Sequence, residues 1–198
     1  MGIKQETPLM EMKHYRTNIT STPFSMPVVQ HIIKSTLKKI KGNHKVRIVD
    51  GFARNHRQPG CITISNDLNP EIDSMYNLEF NDFANLMLEK YLQGEIPEFD
   101  LAFHDPPYSL RQLKDCYDNI GHDLEKWQTN NMWCRGLDAL AQCIKVGGYA
   151  ISFGWHSHGF GKKRGFDKVA VYVIEQVASP DRYDLIICVE KKTQHTLI

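Results

Sequence analysis

The chain has 198 residues, 41% of them hydrophobic and 24% charged, with a formal net charge of +1. This describes one soluble domain large enough for its own core. It excludes a broad basic nucleic-acid surface, which carries a clear Lys and Arg excess, and no apolar run reaches the ~20 residues of a membrane span. Met1 to Glu6 lack the apolar stretch of a signal peptide. Gly2 is the residue myristoylation needs, but Glu6 stands where that motif wants Ser or Thr. The cysteines Cys61, Cys116, Cys134, Cys143 and Cys188 are odd in number and form no Cys-x-x-Cys pair. That pattern fits a reducing cytoplasm and free thiols.

Residues 1–22 are polar and irregular and read as a flexible lead-in. Val28, Val29, Ile32, Ile33, Leu37 and Ile40 then recur at helical spacing, with Pro27 suited to the first turn and Gly42 to the end. Phe24, just ahead, is placed to pack under that helix. Val46 to Asp50 reads as a buried strand ending in an acid, followed by Gly51-Phe52-Ala53-Arg54-Asn55. Cys61 to Ser65 is a second strand by its β-branched content. It runs into Asn66-Asp67-Leu68-Asn69-Pro70, and an acid just past a second strand can accept both ribose hydroxyls of an adenosyl group. The alternative for Asp67 is an acidic turn residue or a helix cap. Met75 to Leu78 suggests a short third strand, and Asn81 an N-cap for a helix carrying Phe83, Leu86, Met87 and Tyr91.

Phe99 to His104 reads as a buried strand, and Pro106 and Pro107 end it. Proline has no N–H and a fixed φ, so the ladder cannot continue through it. The corner Asp105-Pro106-Pro107-Tyr108 therefore presents a carboxylate, carbonyls with few competing donors, and an aromatic ring at a strand's carboxyl end. In open α/β sheets that edge is where ligands bind. A carboxylate and a carbonyl can both accept from one amino group, and a tyrosine face can stack on a planar base.

Residues 109–127, with Arg111, Lys114 and Lys126, form a polar, partly helical segment expected to overhang the pocket as a mobile lid. A helix from Asn130 places Trp133, Leu137, Leu140, Ala141 and Ile144 on one face; Val146-Gly147-Gly148 turns the chain into a strand at 149–153. The run Gly154 to Gly165 leaves several readings open. His156 and His158 could bind a metal, though no matched acid or Cys stands nearby. Lys162-Lys163-Arg164 could be solvated or could meet phosphates. Trp155 and Phe160 could wall a pocket or pack. Strands at Val169–Val177 and Leu185–Glu190, joined by Ser179-Pro180-Asp181, end the fold before a frayed tail. Strands alternating with helices indicate α/β with a mainly parallel sheet.

Asp105-Pro106-Pro107-Tyr108 resembles the signature of the amino-group DNA methyltransferases, which use S-adenosyl-L-methionine to methylate N6 of adenine or N4 of cytosine. Asp in first position is commoner in the adenine enzymes, Ser in the cytosine enzymes. The segments 48–55, 66–70, 105–111 and 153–155 together resemble the small phage- and prophage-encoded members, over about residues 20–190.

The resemblance implies a Rossmann-like class I methyltransferase fold at 23–192, with a mainly parallel seven-stranded sheet, a C-terminal antiparallel hairpin and a tail at 193–198. It implies a catalytic corner of Asp105, Pro106, Pro107 and Tyr108, and cofactor contacts from Phe24, Asp50, Phe52, Asp67 and Glu79. Asp82 competes with Glu79 for the cofactor adenine, but the helix dipole already accounts for Asp82. Arg111, Trp155, Lys162 and Lys163 are the substrate candidates, and no metal is implied. One departure stands out: the family pattern Asp-Pro-Phe-x-Gly-x-Gly is met at Asp50 and Phe52, but Arg54 and His56 replace its glycines. The expected partner is DNA, read with weak or short-site specificity by a cytoplasmic monomer or homodimer. RNA or N4-cytosine methylation, and a non-catalytic protein that kept the fold, are the alternatives.

Overall fold

The computed structural model describes residues 10–18, 22–124, 132–177 and 183–196. Seven strands form one sheet: β1 (Glu11–Asn18), β2 (Arg47–Asp50), β3 (Ile62–Ser65), β4 (Phe99–His104), β5 (Ile144–Gly154), β6 (Phe166–Val177) and β7 (Leu185–Lys192). Their spatial order is β1-β6-β7-β5-β4-β2-β3. β7 runs antiparallel to both neighbours, and every other pair is parallel. The C-terminal hairpin expected from the sequence is therefore present, although its turn at 179–181 lies outside the described residues.

Helix α1 (Pro27–Leu37) covers one face of the sheet; α2 (Phe80–Leu92), α3 (Leu110–Asp118) and α4 (Cys134–Cys143) cover the other. Strand side chains alternate between the two. Ile48, Leu101, Phe103, Tyr149, Ile151 and Phe153 point to α1. Val49, Ala102 and Ala150 point the other way. These smaller residues let α2 and α4 approach closely. Phe80, the first residue of α2, is wedged there. A Cβ added at Gly51 would lie 2.5 Å from its ring, and one at Gly136 2.6 Å. Both glycines are thus packing requirements. No described helix is long and apolar enough to cross a membrane.

Several sequence expectations are corrected. Residues 11–18 are not flexible lead-in but edge strand β1, paired residue for residue with Ala170 to Val177 of β6. Their polarity reflects exposure along the edge, where only Tyr15 and Thr17 are half-buried. The third strand at 75–78 contracts to one bridge between Asn66 and Tyr76. Asn81 does not cap α2. Its amide donates to the Met132 carbonyl at 2.8 Å and accepts from the Gly136 N–H at 2.8 Å, stapling α2 to α4. α1 ends at Leu37, ahead of Gly42. Gly147 and Gly148 lie within β5, where a Cβ on Gly148 would crowd the Asp100 carbonyl at 3.0 Å. The tail is anchored at its start, since the Thr193 N–H donates to the Gly165 carbonyl at 2.8 Å. Asn130, the expected start of α4, and Lys126 lie outside the described residues.

Candidate active site

Strands β2, β3, β4 and β5 end side by side at Asp50, Ser65, His104 and Gly154. Asp105 follows directly on β4 and is 1% exposed. Its Oδ1 accepts the Tyr108 hydroxyl at 2.5 Å, and its Oδ2 has no partner among the described residues. Burial pushes the Asp105 carboxyl up to about 6. Burial also holds the His104 imidazole down at about 3, so it is neutral at physiological pH. Beyond the prolines the chain turns at once into α3. Ser109 caps that helix by accepting the Gln112 N–H at 3.2 Å, while Gln112 Oε1 accepts the Tyr108 N–H at 2.7 Å. The corner is thus held from both sides.

Two cavities meet at this corner. The first, about 370 Å³, opens between the ends of β2 and β3 and helix α3. Phe52, Phe80 and Trp133 form an aromatic wall, in which Phe52 stacks on Phe80 at 4.8 Å. Asp67 and Glu79 line its rim, and Asp105 and Pro107 its inner end. Asp67 Oδ2 accepts the Arg54 N–H at 2.9 Å and Oδ1 the Asn69 N–H at 3.0 Å. Glu79 accepts the Tyr117 hydroxyl, which reaches down from α3. Buried Asn66 ties this side together, donating to the Gly51 and Leu78 carbonyls at 3.2 and 2.9 Å and accepting the Leu78 N–H at 3.0 Å.

Arg54 answers the departure noted in the sequence. It has φ +45°, the only positive φ at a non-glycine among the described residues. The left-handed turn that a glycine would favour is therefore kept by an arginine, against a penalty of roughly 1–2 kcal/mol. Gly51, by contrast, serves the packing of Phe80. Arg54 lines both cavities and forms no ion pair with any described residue.

The second cavity, about 360 Å³, lies on the far side of the prolines. Pro106, Pro107, Tyr108, Trp155 and Tyr183 give it flat apolar surfaces; Gln112, Asn119 and Gln176 give it neutral polar ones. Tyr108 meets Trp155 edge-on at 5.9 Å.

The structure thus brings together Phe52, Asp67, Glu79, the four corner residues and Trp155. It does not bring in the rest. Phe24 lines neither cavity; it packs beneath α1 with its ring stacked on His56 at 4.0 Å. Asp50 is fully buried below the site, where it accepts the Phe52 N–H at 3.2 Å and so shapes the loop from beneath. Arg111, Lys162 and Lys163 are exposed outside both cavities. Arg164 is a clamp, bound to Asp138 at 2.6 Å and to the Phe160 carbonyl at 2.9 Å. Phe160 is core. His156 and His158, with ring centroids 4.6 Å apart, belong to no group of three metal-ligating side chains among the described residues. The sequence reading missed Tyr117, Tyr183 and the side chain of Arg54. Only Arg54 left a signal, as a large residue at a glycine position.

No protein-family model and no curated protein sequence matches the chain. Solved structures do. The N-methyltransferase NodS of Bradyrhizobium japonicum is 10% identical with a TM-score of 0.51, over 89% of this chain and 100% of its own. A Burkholderia thailandensis 1,6-didemethyltoxoflavin N1-methyltransferase, solved with S-adenosylhomocysteine, is 12% identical with a TM-score of 0.50, over 83% of this chain and 76% of its own. A Streptococcus thermophilus protein described as a hemolysin is 10% identical with a TM-score of 0.51 over 83% of this chain, which spans 66% of that protein's length. The fold is accordingly the Rossmann-like fold of S-adenosylmethionine-dependent methyltransferases.

Proposed function

We propose that this chain transfers a methyl group from S-adenosylmethionine to an exocyclic amine of a nucleobase, N6 of adenine in DNA. The observation that carries the reading is Asp105: a buried carboxylate with one oxygen unpartnered among the described residues, fixed where two cavities of different chemistry meet. The first cavity fits the cofactor. Asp67 would hold the ribose hydroxyls, the Phe52 wall the adenine, and Glu79 the adenine amino group. When bound, S-adenosylmethionine supplies an electrophilic methyl on a sulfonium.

The chain's own residues supply the rest. Asp105 and the Pro106 carbonyl accept hydrogen bonds from the target amine, whose lone pair is otherwise delocalised into the base. Holding that amine by its protons turns the lone pair out of the ring plane and fixes its direction. Pro106 and Pro107 carry no N–H, so the corner adds no donor to compete. Tyr108 is placed to stack on the base and, through its hydroxyl, steadies Asp105. Burial raises the Asp105 carboxyl and makes it a better acceptor for the proton that the methylated amine must shed. A base within a duplex cannot reach such a buried corner, so the target is flipped out or already single-stranded.

The test is methyl transfer from labelled S-adenosylmethionine to adenine-containing DNA, with the product nucleoside identified by mass spectrometry. N6-methyladenine should form, and Asp105→Ala should lower the rate at least about 100-fold while cofactor binding persists. Label in RNA alone would move the substrate; label in no nucleic acid would overturn the reading.

A further inference from the structure

We infer that the second cavity takes two neighbouring bases of a single strand, the target against Tyr108 and the next base on the outer face of Tyr183. This rests on a nucleic acid being the substrate. Tyr183 and Trp155 are stacked with centroids 4.1 Å apart and planes at 20°. Trp155 in turn meets Tyr108 edge-on at 5.9 Å, and all three rings line the same cavity. They make a continuous aromatic path from the Asp105 corner to the surface. Tyr183 ends that path 50% exposed. Neither Tyr183 nor Trp155 belongs to the apolar clusters that pack the sheet, so the pair is not explained as core.

The polar lining favours a base over a phosphate. Gln112, Asn119 and Gln176 offer amides suited to base edges, whereas Arg54 and Asp115, the two charged lining residues, balance one another. The whole chain carries a formal net charge of only +1. Duplex binding draws most of its affinity from neutralised phosphates. Stacking on aromatic rings needs no such excess and tolerates any base in the flanking position. A single strand with weak sequence preference is the substrate this surface suits.

The probes are two single-stranded decamers, each with one adenine among thymines. In one of them both nucleotides flanking the adenine are abasic, so phosphates and target base are kept while the stacking partners are removed. Binding to the full-length protein is followed by quenching of tryptophan fluorescence, and methylation by label transfer. The intact decamer should bind about 10-fold tighter than the abasic one. Tyr183→Ala should remove that difference by weakening only the intact decamer, with KM raised and kcat little changed, while Tyr183→Phe should keep it. Equal binding of both decamers by the wild type overturns the inference and leaves the methylation reading standing, provided adenine is methylated in both. Failure of both decamers to bind and to be methylated, with label absent from every other nucleic acid, removes both readings. Because the abasic comparison uses the unaltered protein, misfolding of a variant cannot decide the result.

Discussion

The two cavities flank the same four residues yet are built from different materials. The first is rimmed by carboxylates, Asp67 and Glu79, each already engaged by a donor of the protein. The second is lined by rings and amides, with only Arg54 and Asp115 charged. Acids preset by their neighbours suit a ligand of fixed identity bearing hydroxyls and an amine. Flat rings and neutral amides suit a ligand that varies. The chain thus separates what must be constant in the proposed reaction from what need not be. Asp105, which lines the first cavity and bonds to Tyr108 of the second, is the hinge between the two chemistries.

At that junction the division responds most strongly to pH. The Asp105 carboxyl lies near 3.8 when exposed and at about 6 in the fold. Between these values the folded state binds more protons than the unfolded state, so stability falls as pH rises through the window. Relative to Asp105→Asn, the wild type should lose roughly 3 kcal/mol between about pH 4 and about pH 7, measured by urea unfolding across the range. Methyl transfer should move the other way, rising through about pH 6 as the carboxylate ionises. A flat stability difference would mean that water reaches Asp105 freely.

Asp67→Ala removes the carboxylate that accepts the Arg54 and Asn69 N–H groups. S-adenosylmethionine affinity by calorimetry should fall at least about 10-fold, in keeping with lost hydrogen bonds to a charged group. Affinity for the intact decamer should hardly change, and a comparable loss for both ligands would show that the cavities are one site. The smallest effect falls on the wall they share. Arg54→Gly relieves a left-handed arginine and should raise stability by about 1 kcal/mol. Arg54→Ala keeps a Cβ in the same turn and should gain nothing. Equal changes in Tm would deny that the backbone there is strained.

How much of this was legible in the sequence depended on how local each cause was. The Asp105 corner could be read directly, because prolines and an acid at a strand end act within a few residues. So could Asp67 and the order of the later strands. β1 could not, since an edge strand exposed over most of its length shows no apolar alternation, and its evidence lies in β6. The bridge at Tyr76 replaced a strand because Asn66 satisfies both polar groups of Leu78. Asp50 matched a motif but acts one layer down, through the Phe52 amide. Arg54 looked like a lost glycine, yet glycine's advantage in that turn is only of order 1 kcal/mol, small enough for a folded domain to carry an arginine there. Tyr183 had no local signal, since its meaning comes from stacking on Trp155 across the fold.

The pairing of β1 with β6 also sets a schedule. Glu11 finds its partner at Ala170, so this ladder closes the longest loop in the sheet and pays its entropy before gaining any contact. On a ribosome, residues 11–18 would wait unpaired while the βαβ units behind them condensed. Until they arrive, β6 presents a free edge, the kind of surface on which chains join one another. β1, made before the other six strands of the sheet, is thus among the last to be used, and it acts as the latch that closes the sheet.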